Sequence, residues 1–310
     1  MSGHRWEIVM LLGVLLVTGC GSSDEGKTEF VFNPNALTFS RITTNPASDT
    51  VPAWNPAGTR LAFVATRTTH PELYITPVAE LNPVRISSQE GTFVSKPSWS
   101  PNGENIAVAA DSPGKAEPAA PETHLWVASY LTTLPQLRQL TESEVADSGP
   151  AWSPDNSRIV FSRDSSLWRV APPGGDGDIL ETGDLTGPIV DPAWSPDGLR
   201  LAYAVFNGDN HDIYVQADGG SPAVLVASGA DERYPTWSPS GGHLAYQSDA
   251  RGNWDLWLVS SGGGTPINLT PDSAHDDKHP SWSPLGGTIA FSSNRGGNSD
   301  IWIMERVPFE

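Results

Sequence analysis

The stretch Asp191-Pro-Ala-Trp-Ser-Pro-Asp-Gly-Leu-Arg-Leu-Ala-Tyr203 decides the fold of this chain, because versions of it occur six times. Each copy contains a Pro-x-Trp step, a turn segment and an apolar run. The tryptophans of the six copies are Trp54, Trp99, Trp152, Trp194, Trp237 and Trp282, at intervals of 45, 53, 42, 43 and 45 residues. A nearly fixed period predicts one structural unit for each copy.

The repeated stretch has the chemistry of a strand, a turn and a second strand. Proline at the start of a strand costs no ladder hydrogen bond. Ser-Pro-Asp-Gly favours a tight turn, since proline presets φ, aspartate binds the local backbone and glycine accepts a positive φ. The apolar run alternates large and small residues, as in Leu201-Ala-Tyr203. Both faces of this second strand are therefore apolar.

Two further apolar segments follow in the repeats, for example Leu256-Trp-Leu258 and Asn268-Leu-Thr270 in the fifth. Four short strands in each unit predict an all-β fold, namely a six-bladed β-propeller with four-stranded blades. We name the strands of a blade a to d, from the centre outwards. The tryptophans are expected to pack in the core rather than to form a ligand site.

The last repeat lacks its fourth strand, since only residues 304–310 follow its third. Arg41-Ile-Thr43 matches the strand-d segment Arg85-Ile-Ser87 of the first repeat. We therefore predict that residues 37–43 complete the sixth blade, and that the propeller spans residues 37–310. A strand from the opposite terminus would remove an open sheet edge.

Residues 1–19 have the pattern of a signal peptide, with an apolar run from Ile8 to Val17 that is too short to span a bilayer. The segment before Cys20 resembles the lipobox of bacterial lipoproteins, in which the cysteine is lipidated. Cys20 is the only cysteine and the predicted lipidation site and membrane anchor, and residues 20–36 are the predicted flexible tether. The alternative is an ordinary secretory signal with a chance cysteine.

Composition favours one large core and excludes two classes of ligand. The 310 residues are 38% hydrophobic and include 12 Trp, and Gly (30) and Pro (28) lie mainly in turns at fixed offsets. The net charge is −18. A chain this acidic is a poor partner for nucleic acid or for an anionic lipid surface, so we expect no nucleic acid and a membrane contact only through the lipid.

The fifth and sixth repeats share further segments. Ser248-Asp-Ala-Arg-Gly252 corresponds to Ser292-Ser-Asn-Arg-Gly296, and Asp255-Leu-Trp257 to Asp300-Ile-Trp302. Together with Pro-x-Trp-Ser-Pro-Asp-Gly, the pattern resembles the WD40-like (PD40) repeats of the TolB family. The resemblance implies a six-bladed propeller outside the cytoplasm that binds a protein of the cell envelope. With the predicted anchor, it implies a TolB-like lipoprotein on the periplasmic face or the cell surface.

The sequence offers no set of catalytic residues. Similar repeats precede an α/β-hydrolase domain in relatives of prolyl oligopeptidase, but this sequence contains no Gly-x-Ser-x-Gly motif. We therefore expect a binding or scaffold protein and not an enzyme. The alternative is a propeller lyase or hydrolase acting on an extracellular or cell-wall glycan, which would need a metal or an acid–base pair at the central channel.

One segment carries metal-ligating side chains, His275-Asp-Asp-Lys-His279. His275, Asp277 and His279 could hold a divalent cation at the channel mouth. Lys278 lies among them, and the spacing is that of a loop, so a solvated loop without a metal is the preferred interpretation. No other cofactor is expected.

The binding face follows from the order of the strands. In a four-stranded meander the d–a and b–c connections share one face, which also receives the Pro/Ala-rich insertion 111–122. Because strand a is innermost, residues three and five before each tryptophan should ring the mouth of the central channel. These residues include Asp49, Asp147, Asp191, Glu232, Tyr234, Asp277 and His279.

Four of the six residues five before a tryptophan are acidic, which predicts an acidic mouth. Residues 37–43 run towards this mouth, so the tether would leave from the opposite face. We therefore expect the mouth to face away from the membrane and to bind a protein with basic or hydrogen-bond-donating groups, or a cation. The alternative is a mouth that is only solvated. The pattern leaves the partner's identity and the oligomeric state open.

Overall fold

The structure is a computed structural model, and it describes residues 7–11, 14–18, 29–86, 95–111, 123–129, 136–271 and 273–308. Within these residues six four-stranded antiparallel sheets follow one another, each in the order a-b-c-d from the centre outwards. The predicted fold class, an all-β six-bladed propeller, is confirmed.

The strand bounds repeat from blade to blade. The a strands are Asp49–Trp54, Ser98–Trp99, Asp147–Trp152, Ile189–Trp194, Glu232–Trp237 and Asp277–Trp282. The b strands are Arg60–Ala65, Asn105–Asp111, Ile159–Arg163, Arg200–Phe206, His243–Ser248 and Thr288–Ser293. The c strands are Glu72–Pro77, Thr123–Ser129, Ser166–Val170, His211–Ala217, Asp255–Ser260 and Asp300–Glu305. The d strands are Val84–Arg85, Gln136–Gln139, Asp178–Ile179, Pro222–Val226, Ile267–Asn268 and Thr38–Arg41.

The sixth blade is closed by the N-terminal strand, as predicted. Thr38–Arg41 pairs with Asp300–Glu305, with Arg41 opposite Trp302. The Thr43 hydroxyl then accepts a hydrogen bond from the backbone N–H of Ile301 at 2.9 Å. This pairing covers the outer edge of the last strand c, which would otherwise present unpaired backbone groups.

The core lies between neighbouring blades. In blade one, Leu61 and Phe63 are fully buried in a cluster with Ile301 of blade six, while Ala62 between them joins a cluster with Trp99 of blade two. Burial of each large side chain contributes about 1.5–3 kcal/mol relative to its exposure. The alternation of large and small residues therefore matches two different neighbours, and the tryptophan packs in the core as expected.

The a–b turns are stabilised by their own side chains. In blade four the Ser195 hydroxyl accepts the backbone N–H of Arg200 at 2.9 Å, and Asp197 Oδ1 accepts that of Leu199 at 3.0 Å. Gly198 takes a φ of 70°. Hydrogen bonds, chiefly from the Ser195 hydroxyl, hold the pKa of Asp197 below its ordinary value. These side chains are committed to the turn.

The N-terminal segment has its own small sheet. Its strands are Glu7–Leu11, Val14–Thr18 and Glu29–Phe32, and a 3-10 turn over Pro34–Ala36 leads into the propeller. Cys20 and most of the insertion 111–122 lie outside the described residues. The signal peptide, lipidation site and tether therefore stay predictions. In the described part of the chain, no helix has the length and apolar character needed to cross a membrane.

Candidate binding site at the central channel

A β-bulge shapes the inner end of the blades. In five of the six blades the pairing of strands a and b slips between the residues four and one before the tryptophan, for example between Thr50 and Ala53 in blade one. The slip includes the residue three before the tryptophan. We call these six equivalent residues the inner ring: Val51, Lys96, Gly149, Asp191, Tyr234 and His279.

Four inner-ring residues other than glycine hold a strained backbone. Val51, Asp191, Tyr234 and His279 have φ values of 50°, 56°, 54° and 54°, and Gly149 has 57°. Glycine adopts this left-handed region without penalty, whereas a β-branched or bulky residue does so at a cost of about 1–3 kcal/mol. Strain of this kind persists only where the surroundings enforce it, and it is concentrated at functional sites in proteins generally.

Side chains of the preceding blade hold two of these bulges in place. The Ser292 hydroxyl of blade six accepts the backbone N–H of Val51 at 3.1 Å. The Gln247 side chain of blade five accepts the backbone N–H of His279 at 2.8 Å. The donors that the bulge removes from the strand ladder thus find partners across the blade interface.

On one side of the channel the inner-ring side chains contact one another and the adjacent Arg233. Arg233 Nε donates to Asp191 Oδ2 at 3.0 Å, which joins blades four and five. The rings of Tyr234 and His279 meet edge to face, with centroids 4.5 Å apart. His279 Nδ1 lies 3.1 Å from the Ser292 hydroxyl. Burial, with the neighbouring cations, lowers the pKa of His279 to about 3, so the imidazole is neutral at pH 7.

Lys96, the inner-ring residue of blade two, is a half-buried cation. Burial lowers the pKa of its ammonium, and the opposing attraction comes from Asp191, two blades away. Lys96 also contributes to the repulsion that lowers the pKa of His279. Among the residues that the structure describes, no carboxylate forms an ion pair with Lys96.

A cavity of about 270 Å³ lies along the channel next to Lys96. Its wall is mainly the prolines, small residues and tryptophans of the Pro-x-Trp steps, with Pro56, Pro154 and Pro284 of the a–b turns. The side-chain hydroxyls in this wall already accept backbone N–H groups of a neighbouring blade. These contacts are Ser98 to Trp152 at 2.9 Å, Thr236 to Trp282 at 3.2 Å and Ser281 to Trp54 at 3.3 Å.

The carboxylates five residues before the tryptophans lie inside the blades. Asp49, Asp147 and Asp277 are fully buried, and each is paired with an arginine from the end of strand b or just after it in the same blade. The pairs are Asp49–Arg67 at 2.8 Å, Asp147–Arg163 at 2.6 Å and Asp277–Arg295 at 2.6 Å. Their charge is neutralised locally, so they do not form the open acidic surface that their position in the sequence had led us to expect.

Glu232, the fourth of these carboxylates, has serines in place of an arginine. Ser228 and Ser248 donate to its Oε1, and its Oε2 has no hydrogen-bond partner among the described residues. Burial raises the pKa of Glu232, and the nearby Asp212 adds to the effect. The environment therefore favours the neutral form of this side chain.

The three metal-ligand candidates point to different surroundings. His275 is exposed in the d–a loop, Asp277 is bound to Arg295, and His279 faces Tyr234 in the inner ring. Across the described residues, no group of three or more histidine, cysteine or acidic side chains has an arrangement that could hold a metal ion. The structure does not bring these three residues together as a ligand set.

Of the residues singled out from the sequence, the structure brings Asp191, Tyr234 and His279 together at the channel. The position-based reasoning put Lys96 at the channel mouth but did not select it as a binding residue, and it passed over Arg233. Lys96 occupies the same place in its repeat as Asp191, Tyr234 and His279, so the repeat alignment contained a signal for it. For Arg233 the sequence contained no signal beyond its position next to Tyr234, because the contact of Arg233 with Asp191 crosses a blade boundary.

Comparison with known proteins gives the context of this fold. The chain matches the family model described as the TolB beta propeller domain over residues 16–170 and 177–307. TolB from Acinetobacter baumannii is similar with a TM-score of 0.65 and 20% identity, over 87% of this chain and 62% of that one. The putative TolB from Agrobacterium tumefaciens has a TM-score of 0.56 and 21% identity, over 80% and 79% of the two chains.

A similar structure also occurs in an enzyme. The oligogalacturonate lyase from Vibrio parahaemolyticus has a TM-score of 0.55 and 12% identity, over 97% of this chain and 96% of that one. At such identities each of these structural likenesses establishes the fold alone. The chain spans 62% of the length of the Acinetobacter protein.

Proposed function

Since the chain belongs to the TolB beta propeller domain family, we propose that it is a binding or scaffold propeller of the cell envelope, and that it engages a protein partner through the face that carries the d–a loops. The observation that carries the proposal is the inner ring. Four residues other than glycine occupy left-handed backbone there, although glycine fills the same position in blade three. Glycine would satisfy the fold at each of these positions, whereas the side chains that stand there can serve a binding site.

The d–a face has the composition of a contact surface on a rigid support. In the a–b turns the polar side chains form hydrogen bonds with the backbone of the turn itself, as Ser195 and Asp197 do. The d–a loops and the adjoining ends of the a strands instead present partly exposed charges, among them Asp231, Asp276 and Lys278. Binding residues in proteins often sit on loops that a rigid scaffold positions in this way.

The proposed anchor agrees with this orientation. Strand d of the sixth blade runs towards the d–a loops, so Thr38 lies at the end of the blade near the a–b turns. A lipid on Cys20 would then leave the inner ring facing away from the membrane. Location on the periplasmic face or the cell surface is part of the same proposal.

The test is capture of a partner from solubilised envelope of the source cells by the lipidated protein. The variant Tyr234→Gly with His279→Gly introduces at two blades the residue that blade three already has, so the fold should persist. The matched control, Leu199→Ser with Leu285→Ser, alters exposed residues of the a–b turns. We expect the ring variant to lose a partner that the wild type and the control retain. Loss only in the control would assign binding to the opposite face.

An enzymatic role is the competing outcome. Incubation of the purified protein with oligogalacturonate or peptidoglycan fragments, with and without added Mn²⁺, should leave the glycan intact. Cleavage by the wild type that the ring variant abolishes would replace the binding proposal with a catalytic one.

A further inference from the structure

We propose that the central channel is a carboxylate-binding site, in which Lys96 and Tyr234 receive an acidic side chain or the terminal carboxylate of the protein partner. This inference rests on the proposed function, because it assigns the chemistry by which the partner is held. It reverses the charge expected from the sequence, in which four of the six residues five before a tryptophan are acidic.

The local charge at the inner ring is positive. Arg233 offsets Asp191 through their ion pair, while Lys96 has no such partner in the described part of the chain. The carboxylates five residues before the tryptophans add little negative charge at the ring, since three of the four are paired with arginines. A half-buried cation without a counter-ion loses hydration that an anionic ligand would replace.

Hydrogen-bond donors are also available at Tyr234 and Arg233, which contact His279 and Asp191, the two inner-ring residues that interact electrostatically with Lys96. The Tyr234 side chain is half-buried, and its hydroxyl has no hydrogen bond to another described residue. Arg233 uses Nε for Asp191 and lies over the Tyr234 ring, with its central carbon 5.2 Å from the ring centroid. A carboxylate accepts from ammonium, phenol and guanidinium donors alike, and such charge-assisted bonds are the strong ones.

The surroundings favour a single negative charge on a peptide over other anions. Asp191 stands in the same ring and would repel a doubly charged phosphate more strongly than a carboxylate. The cavity behind Lys96 has a wall of proline, alanine and tryptophan, and its serine and threonine hydroxyls are engaged with backbone. An apolar side chain next to the carboxylate would be accommodated there, whereas a sugar would bring most of its hydroxyls against proline, alanine and tryptophan.

The size of the cavity agrees with a chain end or one side chain. Its volume of about 270 Å³ is at the lower limit of pockets that enclose small-molecule ligands, which hold roughly 300–1,000 Å³. A partner would therefore insert a short segment and make its remaining contacts on the d–a loops.

The test uses fluorescein-labelled peptides and fluorescence anisotropy with the full-length protein. One peptide repeats Gly-Glu-Ala and the other Gly-Gln-Ala, and each is made with a free and an amidated C-terminus. The four peptides separate the two sources of a carboxylate. We expect binding that requires either the glutamates or the free terminus, and that weakens at least about tenfold in Lys96→Gln, which removes a charge-assisted contact.

The matched control is Lys278→Gln. Lys278 lies on the same face, outside the inner ring, and is paired with Asp276 at 3.0 Å. It should change peptide affinity less than threefold, and both variants should keep the melting temperature of the wild type. Tyr234→Phe, which retains the ring and removes the hydroxyl, should give an intermediate loss.

Three results would overturn the inference: equal affinity for the four peptides, no measurable binding of any peptide, or equal binding by wild type and Lys96→Gln. Preferential binding of oligogalacturonate that depends on Lys96 would assign the site to a uronate and reject the protein carboxylate. Capture of an envelope partner by Lys96→Gln as well as by the wild type would leave the proposed function intact while rejecting the carboxylate site. Capture by neither protein would count against the proposed function itself.

Discussion

Arg41 and Asp300 are 259 residues apart in the chain, and the Arg41 guanidinium donates to the Asp300 carboxylate at 2.5 Å. The pair joins the first strand of the propeller to the last strand c. Blade one has the same contact between Arg85 and Glu72 at 3.0 Å, over a separation of 13 residues. The closure of the ring thus uses the side-chain contact of an ordinary blade, formed at much longer range.

The Arg41–Asp300 pair should contribute more to the free energy of unfolding than the equivalent Arg85–Glu72 pair in blade one. Arg41→Ala leaves the fully buried Asp300 without its cation, so we expect a loss of about 1–3 kcal/mol in the free energy of unfolding. Arg85→Ala, whose side chain is about half-exposed, should cost less than about 1 kcal/mol. Urea unfolding followed by tryptophan fluorescence measures both, and equal losses would contradict a special role for closure.

Truncation tests the same closure at the level of the strand. Deletion of residues 21–36 leaves the paired strand Thr38–Arg41 in place and should change the melting temperature little. Deletion of residues 21–43 removes that strand and exposes the edge of the last blade. We expect a clearly lower melting temperature for the longer deletion alone, and identical melting of the two proteins would refute the closure.

The buried ion pair of blade three should be essential for stability. Asp147 accepts from Arg163 at 2.6 and 2.9 Å, and both side chains are buried. Asp147→Ala leaves a buried guanidinium unpaired, which costs about 3–5 kcal/mol. Asp218→Ala, which breaks the partly exposed pair with Arg158, should cost about 0–1 kcal/mol. Chemical denaturation compares the two, and a stable Asp147→Ala protein would show that the aspartate is dispensable for folding.

Glu232 should make stability fall with rising pH. Its pKa in the folded protein is raised by burial, so the fold prefers the protonated form. The resulting contribution is fully present below the unfolded pKa of about 4.3 and is lost as the pH rises through the folded pKa. Glu232→Gln should remove this loss and be more stable than the wild type near pH 7, by about 1.4 kcal/mol for each pKa unit of the shift.

The measurement for Glu232 is the difference between variant and wild-type unfolding free energies from pH 4 to pH 8, which cancels the titration of all other groups. The difference should grow with pH and then level off. A difference that stays constant over this range would mean that Glu232 titrates normally in the fold.

Lipidation can be tested at Cys20. Cys20→Ala should abolish the incorporation of labelled palmitate and release the protein into the soluble fraction. A wild-type protein that is soluble and cleaved at another position would support the ordinary secretory signal instead.

The fold could be predicted because its information is local and repeated. Ser-Pro-Asp-Gly folds on itself, and the run Leu201-Ala-Tyr203 shows both buried faces of one strand. Closure of the ring could also be predicted, since Arg41-Ile-Thr43 matches the strand-d segment Arg85-Ile-Ser87. Contacts between blades had no such signature. Contacts within a blade, such as the pairing of Asp147 with Arg163, had none either, because they depend on where side chains point around a bulge, which residue spacing does not specify.

The charge of the channel mouth illustrates this limit. Asp49 and Asp277 stood at the predicted positions in the chain, yet both are buried inside their blades and paired with arginines. Position along a strand was predictable, but the surface that each side chain faces was not.

The backbone at the inner ring is fixed by proline, by the bulge and, at Val51 and His279, by hydrogen bonds from the preceding blade, and none of these depends on the side chain three before the tryptophan. Valine, lysine, glycine, aspartate, tyrosine and histidine all occur there within one molecule. Six points around one axis can therefore carry different side chains on the same scaffold, with Tyr234 and His279 varied as a pair because their rings are in contact. A library that varies only these positions would explore ligand preference at little risk to folding, much as variable loops do on an antibody framework.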